Sequence, residues 1–219
     1  IKIIRHARAK KIKLRVITLE NCIKVTVPHM CPMWQVKEFI HSHESWIRKR
    51  LAAGSRYLVR KDFNSLPILG LMRNIVPDKN ISEGVELDGL YLKYSGPTKS
   101  SRCQIKSFLL KFANKVFSSW CDYYSSALEV SYNRLVLKDP KTRWGSCSQN
   151  KNLMLNWRLI LAPEFVGRYV VCHEVSHLIH MNHRKQFWTT VKTIFPNYQY
   201  AQNWLKNNGM SLYIYNFED

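Results

Sequence analysis

Three observations predict an α+β fold. Residues 11–27 alternate basic and aliphatic side chains, as a half-buried strand pair does. Residues 33–53 and 103–128 repeat apolar side chains at three- and four-residue steps, the period of an amphipathic helix. Between them, residues 66–94 are broken by Pro67, Gly70, Pro77, Gly84 and Gly89 into short extended pieces. Composition agrees with a packed domain: 46% of the 219 residues are hydrophobic, with seven Trp, eleven Tyr and nine Phe, which excludes a disordered chain. No stretch approaches eighteen consecutive apolar residues, so no membrane-spanning helix is expected, and the basic opening residues are not a signal-peptide run.

Each element follows from local pattern. Residues 11–16 and 22–27 read as a hairpin turning at Glu20 and Asn21, with one apolar and one basic face, closed by Pro28. A helix over 33–53 carries the stripe Val36, Phe39, Ile40, Ile47 and Leu51, with Gly54 at its stop. Strands are expected over 66–76 and 85–94. A long helix over 103–128 follows, striped by Ile105, Leu109, Phe112, Val116, Trp120 and Tyr124. Two strands are expected next, one over 134–138 leading through Asp139-Pro140 to 142–147 and one over 153–160, ahead of a helix that Pro163 and Glu164 start, proline and an acid both being favoured in a first turn. Apolar stripes over 187–195 and 198–205 predict two last helices as packing around it. The composition shift at Gly96-Pro97 divides a basic accessory region, 1–97, from a core, 98–219.

The chain carries 34 Lys+Arg against 15 Asp+Glu, a formal +19. Residues 1–61 hold fifteen Lys+Arg and three Glu, so 15 − 3 = +12 of that excess lies there. Such a region can attract nucleic acid, an anionic membrane face or an acidic substrate, and charge alone does not choose among them. The six cysteines are scattered without a CxxC pair, which predicts free thiols and a reducing, cytoplasmic setting.

The chemistry is concentrated in His173-Glu174-Val175-Ser176-His177. On a helix the two histidines, four apart, project from one face and can share a cation. Glu174 is turned by about 100°, beside the cation and not on it, where it can take a proton from water. This is the H-E-x-x-H arrangement of zinc peptidases. At this chain's composition it would arise by chance in about one sequence per hundred. A third ligand is needed to leave a position open for water, and His180 and His183 compete for it. Three side chains along one unbroken helix would spread over about 10 Å, too far for one zinc, which disfavours His180. His183 stands ten residues after His173, the spacing of the third histidine in H-E-x-x-H-x-x-G-x-x-H, although His180 occupies the glycine position of that pattern. Asn182 tolerates the left-handed conformation that would turn His183 back. A donor for the developing oxyanion is sought among Arg143, His180 and Tyr198, while Gly145 would border the cleft and let a substrate strand approach. Cys147 is placed as a buried thiol in preference to a fourth ligand.

The run from His173 through Leu178, Asn182, His183, Phe187 and Trp188 resembles the YgjP-like metallopeptidases, a zincin group related to the SprT-like and Wss1-like proteases. Arg143-Trp144-Gly145-Ser146-Cys147, Leu155-Asn156-Trp157, Ala162-Pro163 and Tyr169-Val170-Val171 match the same family. More weakly, so do Leu14-Arg15-Val16, Val25, Val27-Pro28 and Trp46-Ile47. The resemblance implies a zincin-like core, an active-site helix on a small mixed sheet, extended by the N-terminal hairpin and helix. It implies zinc on His173, His177 and His183, Glu174 as general base, and a peptide or protein substrate. A relationship to proteases of DNA-bound proteins leaves a nucleic-acid-associated role for the basic N-terminal region as the alternative.

Overall fold

The computed structural model describes residues 1–17, 22–54, 63–96 and 98–217. The expected turn at Glu20 and Asn21, and Pro97, lie outside them. The chain divides into two compact units, Ile1–Arg60 and Lys61–Asp219, an earlier division than the one expected near Pro97.

In the first unit the hairpin forms as expected from β2 (Lys13–Ile17) and β3 (Cys22–Pro28). A further strand, β1 (Lys2–His6), lies parallel to β3 on its other side, giving the order β1-β3-β2. Ile23, Val25 and Val27 of β3 point one way and are buried with Cys31, Val36 and Ile47. The single helix expected over 33–53 is two, α1 (Met33–Ser42) and α2 (Glu44–Gly54). Side chains cause the break. The Phe39 carbonyl is taken by Ser42 Oγ at 3.0 Å and by His43 Nδ1 at 2.8 Å, and the His43 N–H bonds Ile40 O instead. Local side-chain donors competing with the helix ladder are a known source of such bends.

The second unit begins with a four-stranded sheet, β4 (Ser65–Ile68), β5 (Leu71–Pro77), β6 (Val85–Asp88) and β7 (Tyr91–Tyr94), in the order β4-β5-β7-β6. Each of the two strands expected here folds on itself. Leu69 and Gly70, both left-handed at φ 51° and 87°, turn the first, and Gly89 at φ 52° turns the second. Leu66, Ile68 and Leu92 share one core with Ile105, Leu109 and Phe117 of the long helix α3 (Thr98–Ala127), which is why this sheet groups with the C-terminal part.

A second, three-stranded sheet carries the site. In it β8 (Arg134–Lys138) and β9 (Gly145–Cys147) flank β10 (Asn152–Asn156), parallel and antiparallel respectively. The strand expected over 153–160 stops at Asn156, whose side chain accepts the Arg158 N–H and starts a 3-10 helix, Trp157–Leu161. Helix α4 (Glu164–Ser176) then packs on β9, β10 and α3. At Gly167 a Cβ would come within 2.7 Å of the Trp120 ring, so glycine permits the close approach of α4 to α3. Helices α5 (Lys185–Ile194) and α6 (Tyr198–Asn208) and a 3-10 turn, Gly209–Tyr213, complete a mixed α+β unit, the fold class expected.

Candidate metal centre and active site

Helix α4 presents His173 and Glu174 from its last turn, and His177 is its C-cap residue. The helix does not run on to His180. It closes with tight bonds from Leu178 N–H to Val175 O and from Ile179 and His180 N–H to Ser176 O. The chain then turns at Asn182, but not through a left-handed residue there: Asn182 Oδ1 accepts the Arg184 N–H, an Asx turn that leads into α5. The result brings His183 back. Its Nε2 lies 3.0 Å from His173 Nε2, and one nitrogen from each of His173, His177 and His183 falls within 4.8 Å of the others.

Those nitrogens suit a single small cation. Tetrahedral ligation at about 2.0–2.1 Å puts ligand nitrogens about 3.3 Å apart, near the separation seen for His173 and His183. The donor set is all imidazole, with no thiol or carboxylate in the group; among the described residues Cys147 is not part of it. Burial, and then the neighbouring His177 and His183, hold His173 down to about 3, and burial lowers His177 as well. Both are therefore neutral, the form that ligates metals.

The His173 and His177 rings are held from behind. His177 Nδ1 donates to the His180 carbonyl at 2.8 Å, leaving Nε2 for the cation. Thus His180 acts here through its backbone, and its imidazole is not in the nitrogen group. Tyr169 Oη lies 3.4 Å from His173 Nδ1 and accepts from Gln202 Nε2 at 3.0 Å. Phe187, fully buried, stacks on His177 at 4.5 Å and meets His173 and His183 edge-on at 4.9 and 4.8 Å. Trp188 stacks on His183. The stripe of α5 expected as plain core thus forms the aromatic floor of the histidine group.

Glu174 is 6% exposed and lies against the backbone of β9. A Cβ on Gly145 would stand 2.5 Å from Glu174 Oε1, so a glycine is required for the carboxylate to occupy this place. Burial pushes the Glu174 carboxyl up to about 8, and the positive charge of Arg143 pulls the other way. Trp144, Gly145, Tyr169, Val170, His173, Glu174 and Leu205 line one small cleft. Of the candidate oxyanion donors, Arg143 reaches this cleft through its field on Glu174. Tyr198 stacks between Trp188 at 5.2 Å and Tyr169 at 6.4 Å in the aromatic wall.

Residues 10–208 match the family model of the YgjP-like metallopeptidase domain. The chain belongs to the YgjP-like metallopeptidases. Two solved structures are also similar. The metallopeptidase zymogen abylysin of Pyrococcus abyssi is 16% identical, with 42% of this chain and 93% of that one covered at a TM-score of 0.39. The metallopeptidase zymogen jannalysin of Methanocaldococcus jannaschii is 21% identical, with 41% and 91% covered at a TM-score of 0.36. No curated protein matches the chain significantly. A metallopeptidase implies a metal ion, and three of this YgjP-like chain's histidines could hold one.

The other family-like motifs serve this site from outside it. Asn156, fully buried, donates from Nδ2 to Pro140 O at 3.0 Å and to Tyr213 Oη at 2.7 Å, and its own N–H bonds Trp144 O. Arg158 pairs with Asp139 at 2.9 Å and bonds the carbonyls of Leu212 and Tyr215. Together they fix the segment from Asp139 to Trp144 that carries Arg143 and leads into β9. Sequence reasoning assigned no role to Tyr169 or Gln202. The i, i+4 spacing of Tyr169 to His173 was a usable signal; nothing in the sequence pointed to Gln202.

Proposed function

We propose that this YgjP-like chain is a zinc-dependent peptidase whose metal is held by His173, His177 and His183 and whose general base is Glu174. The observation that carries the reading is the convergence of three imidazoles, those of His173 and His177 bonded from behind, beside a buried carboxyl group. Zinc bound there would acidify a water molecule and polarise the scissile carbonyl. Glu174, pressed against Gly145, takes the proton of the attacking water and returns it to the leaving amine. Tyr169 and the His180 carbonyl keep the His173 and His177 rings turned so that one nitrogen of each stays free.

The peptide substrate has a place to lie. Trp144 and Asn156 form a bonded pair of the β9–β10 ladder, and bonded pairs alternate, so Gly145 and Cys147 direct their N–H and C=O groups outward. This outer edge has no strand on it among the described residues. An extended peptide added there would run past Glu174. Arg143, charged and close to that carboxylate, is the favoured oxyanion donor of the three candidates. Six free cysteines fit a reducing compartment, and cytoplasmic placement is proposed on that ground.

The test is metal analysis joined to a peptide-library cleavage screen. Wild type should carry one zinc per chain and cleave peptides. His173→Ala and His177→Ala should lose the metal. Glu174→Gln should keep it and lose about 10²–10⁴-fold in kcat. Cleavage that survives Glu174→Gln intact would remove Glu174 from the mechanism.

A further inference from the structure

The sheet of the first unit has one covered and one open face. Ile23, Val25 and Val27 of β3 face the apolar cluster shared with α1 and α2, so Cys22, Lys24 and Thr26 face away from it. Register carries that face to the outer strands. Lys24 pairs with Lys2 of β1 on one side and with Arg15 of β2 on the other, while Thr26 pairs with Ile4 and Lys13. Three cations therefore stand side by side across all three strands, about 4.8 Å from strand to strand, with Lys13 in the next row.

Like charges directly opposite one another destabilise a sheet, and no acid among the described residues of this face relieves them. Lys2, Lys13 and Arg15 are exposed and Lys24 half-buried, and none has an ion pair among the described residues. The two described acids of the unit, Glu38 and Glu44, belong to α1 and α2, where Glu44 is paired with Arg48 and His41. Arg5, one residue out of phase, is committed elsewhere, to the carbonyls of His29 and Cys31. A grid of unpartnered cations without an acid is complementary to a polyanion.

We propose that the open face of β1-β3-β2 binds the sugar-phosphate backbone of a nucleic-acid duplex, DNA or RNA, without reading its sequence. The chemistry of the face selects the duplex. A single strand would need aromatic platforms for its bases, and the described aromatic residues of this unit, Trp34, Phe39 and Trp46, lie on α1 and α2. A lipid surface would need apolar anchors beside the cations, and the face offers Ile4, which is 38% exposed. The proposal is independent of the peptidase reading.

Fluorescence anisotropy of the full chain with a labelled random 20-bp duplex tests it. Three to four neutralised phosphates predict a log–log salt slope of about −3, and so about 40–150-fold weaker binding at 200 mM than at 50 mM salt. The triple variant Lys2→Gln, Arg15→Gln, Lys24→Gln should bind at least about tenfold more weakly at 50 mM, with most of that slope lost. The charge-matched variant Lys37→Gln, Lys49→Gln, Arg50→Gln, altered on α1 and α2, should stay within about threefold of wild type. Circular dichroism confirms that both variants fold. The proposal is overturned by no duplex binding at 50 mM salt, by equal losses in the two variants, by a triple variant that binds like wild type, or by preference for a single strand or phosphatidylserine vesicles.

Discussion

Gly145 and Glu174 define the finest requirement of the site. A methyl group at position 145 would sit 2.5 Å from both Cγ and Oε1 of Glu174, far inside contact distance, and the carboxylate is buried with little room to retreat. Gly145→Ala should therefore displace the base while leaving the three histidines in place. The expected result is at least a tenfold fall in kcat with the metal content unchanged, measured by steady-state kinetics and metal analysis. Tyr169 makes a different demand, on the metal itself. Burial pushes its phenol up to about 12, so its hydroxyl stays neutral and available to His173 Nδ1. Tyr169→Phe removes that one oxygen and leaves Gln202 Nε2 without its acceptor. Outer-shell losses of this kind cost about 10–100-fold in metal affinity or activity. Titration against a competing chelator should show weaker zinc binding, and unchanged affinity would mean that the 3.4 Å contact does not orient the ring.

Among the elements, the segment ahead of β9 depends on a single buried amide. Asn156 bonds the Pro140 carbonyl, the Tyr213 hydroxyl, the Trp144 carbonyl and the Arg158 N–H, three of these four through its side chain. Asn156→Ala keeps the backbone bond to Trp144 and the Tyr213 hydroxyl's own bond to Pro140 O, but it removes the acceptor of the Arg158 N–H and the donor to Tyr213 Oη, and should destabilise the fold by about 1–3 kcal/mol in urea unfolding. It should also lower kcat, because the freed segment carries Arg143. Elements of this kind mark the limit of what was legible beforehand. The H-E-x-x-H pair, His183 and the closing helices were readable because spacing and apolar period are properties of contiguous sequence. The end of β10 was not, because Leu153 to Ile160 is an apolar run that strand and 3-10 helix serve equally, and the Asn156 cap decides between them. Likewise His43 sits in a continuous helical stripe, and the bonds of Ser42 Oγ and His43 Nδ1 to Phe39 O break it. The strand β1 was missed because its residues are exposed throughout and show no buried face to give a period. Leu69, a non-glycine residue at positive φ, hid the turn inside an expected strand.

At the scale of the whole molecule, the three histidines, Glu174, β9, the aromatic floor and the outer partners named for the site lie within Lys61–Asp219. That unit has its own large core, running from Leu66 to Phe217 through α3 and α4. Its C-terminus is tied in by Phe217, which is 2% exposed and packs edge-on against Trp157 and Phe63. The first unit is organised around six buried apolar residues among those described, a core small enough that a domain of its length is marginal alone. The two activities proposed here should therefore separate. A chain reduced to residues 61–219 should fold, bind one zinc and cleave a short peptide with a kcat within about twofold of the full chain, since no catalytic group is removed. The same chain should lose its affinity for duplex nucleic acid, because Lys2, Lys13, Arg15 and Lys24 go with the first unit. Metal analysis, peptide kinetics and duplex anisotropy on one preparation read all three. Retained duplex binding would place the polyanion surface in the second unit. Lost zinc in a chain that is still folded by circular dichroism would mean that the first sixty residues help to shape the histidine site.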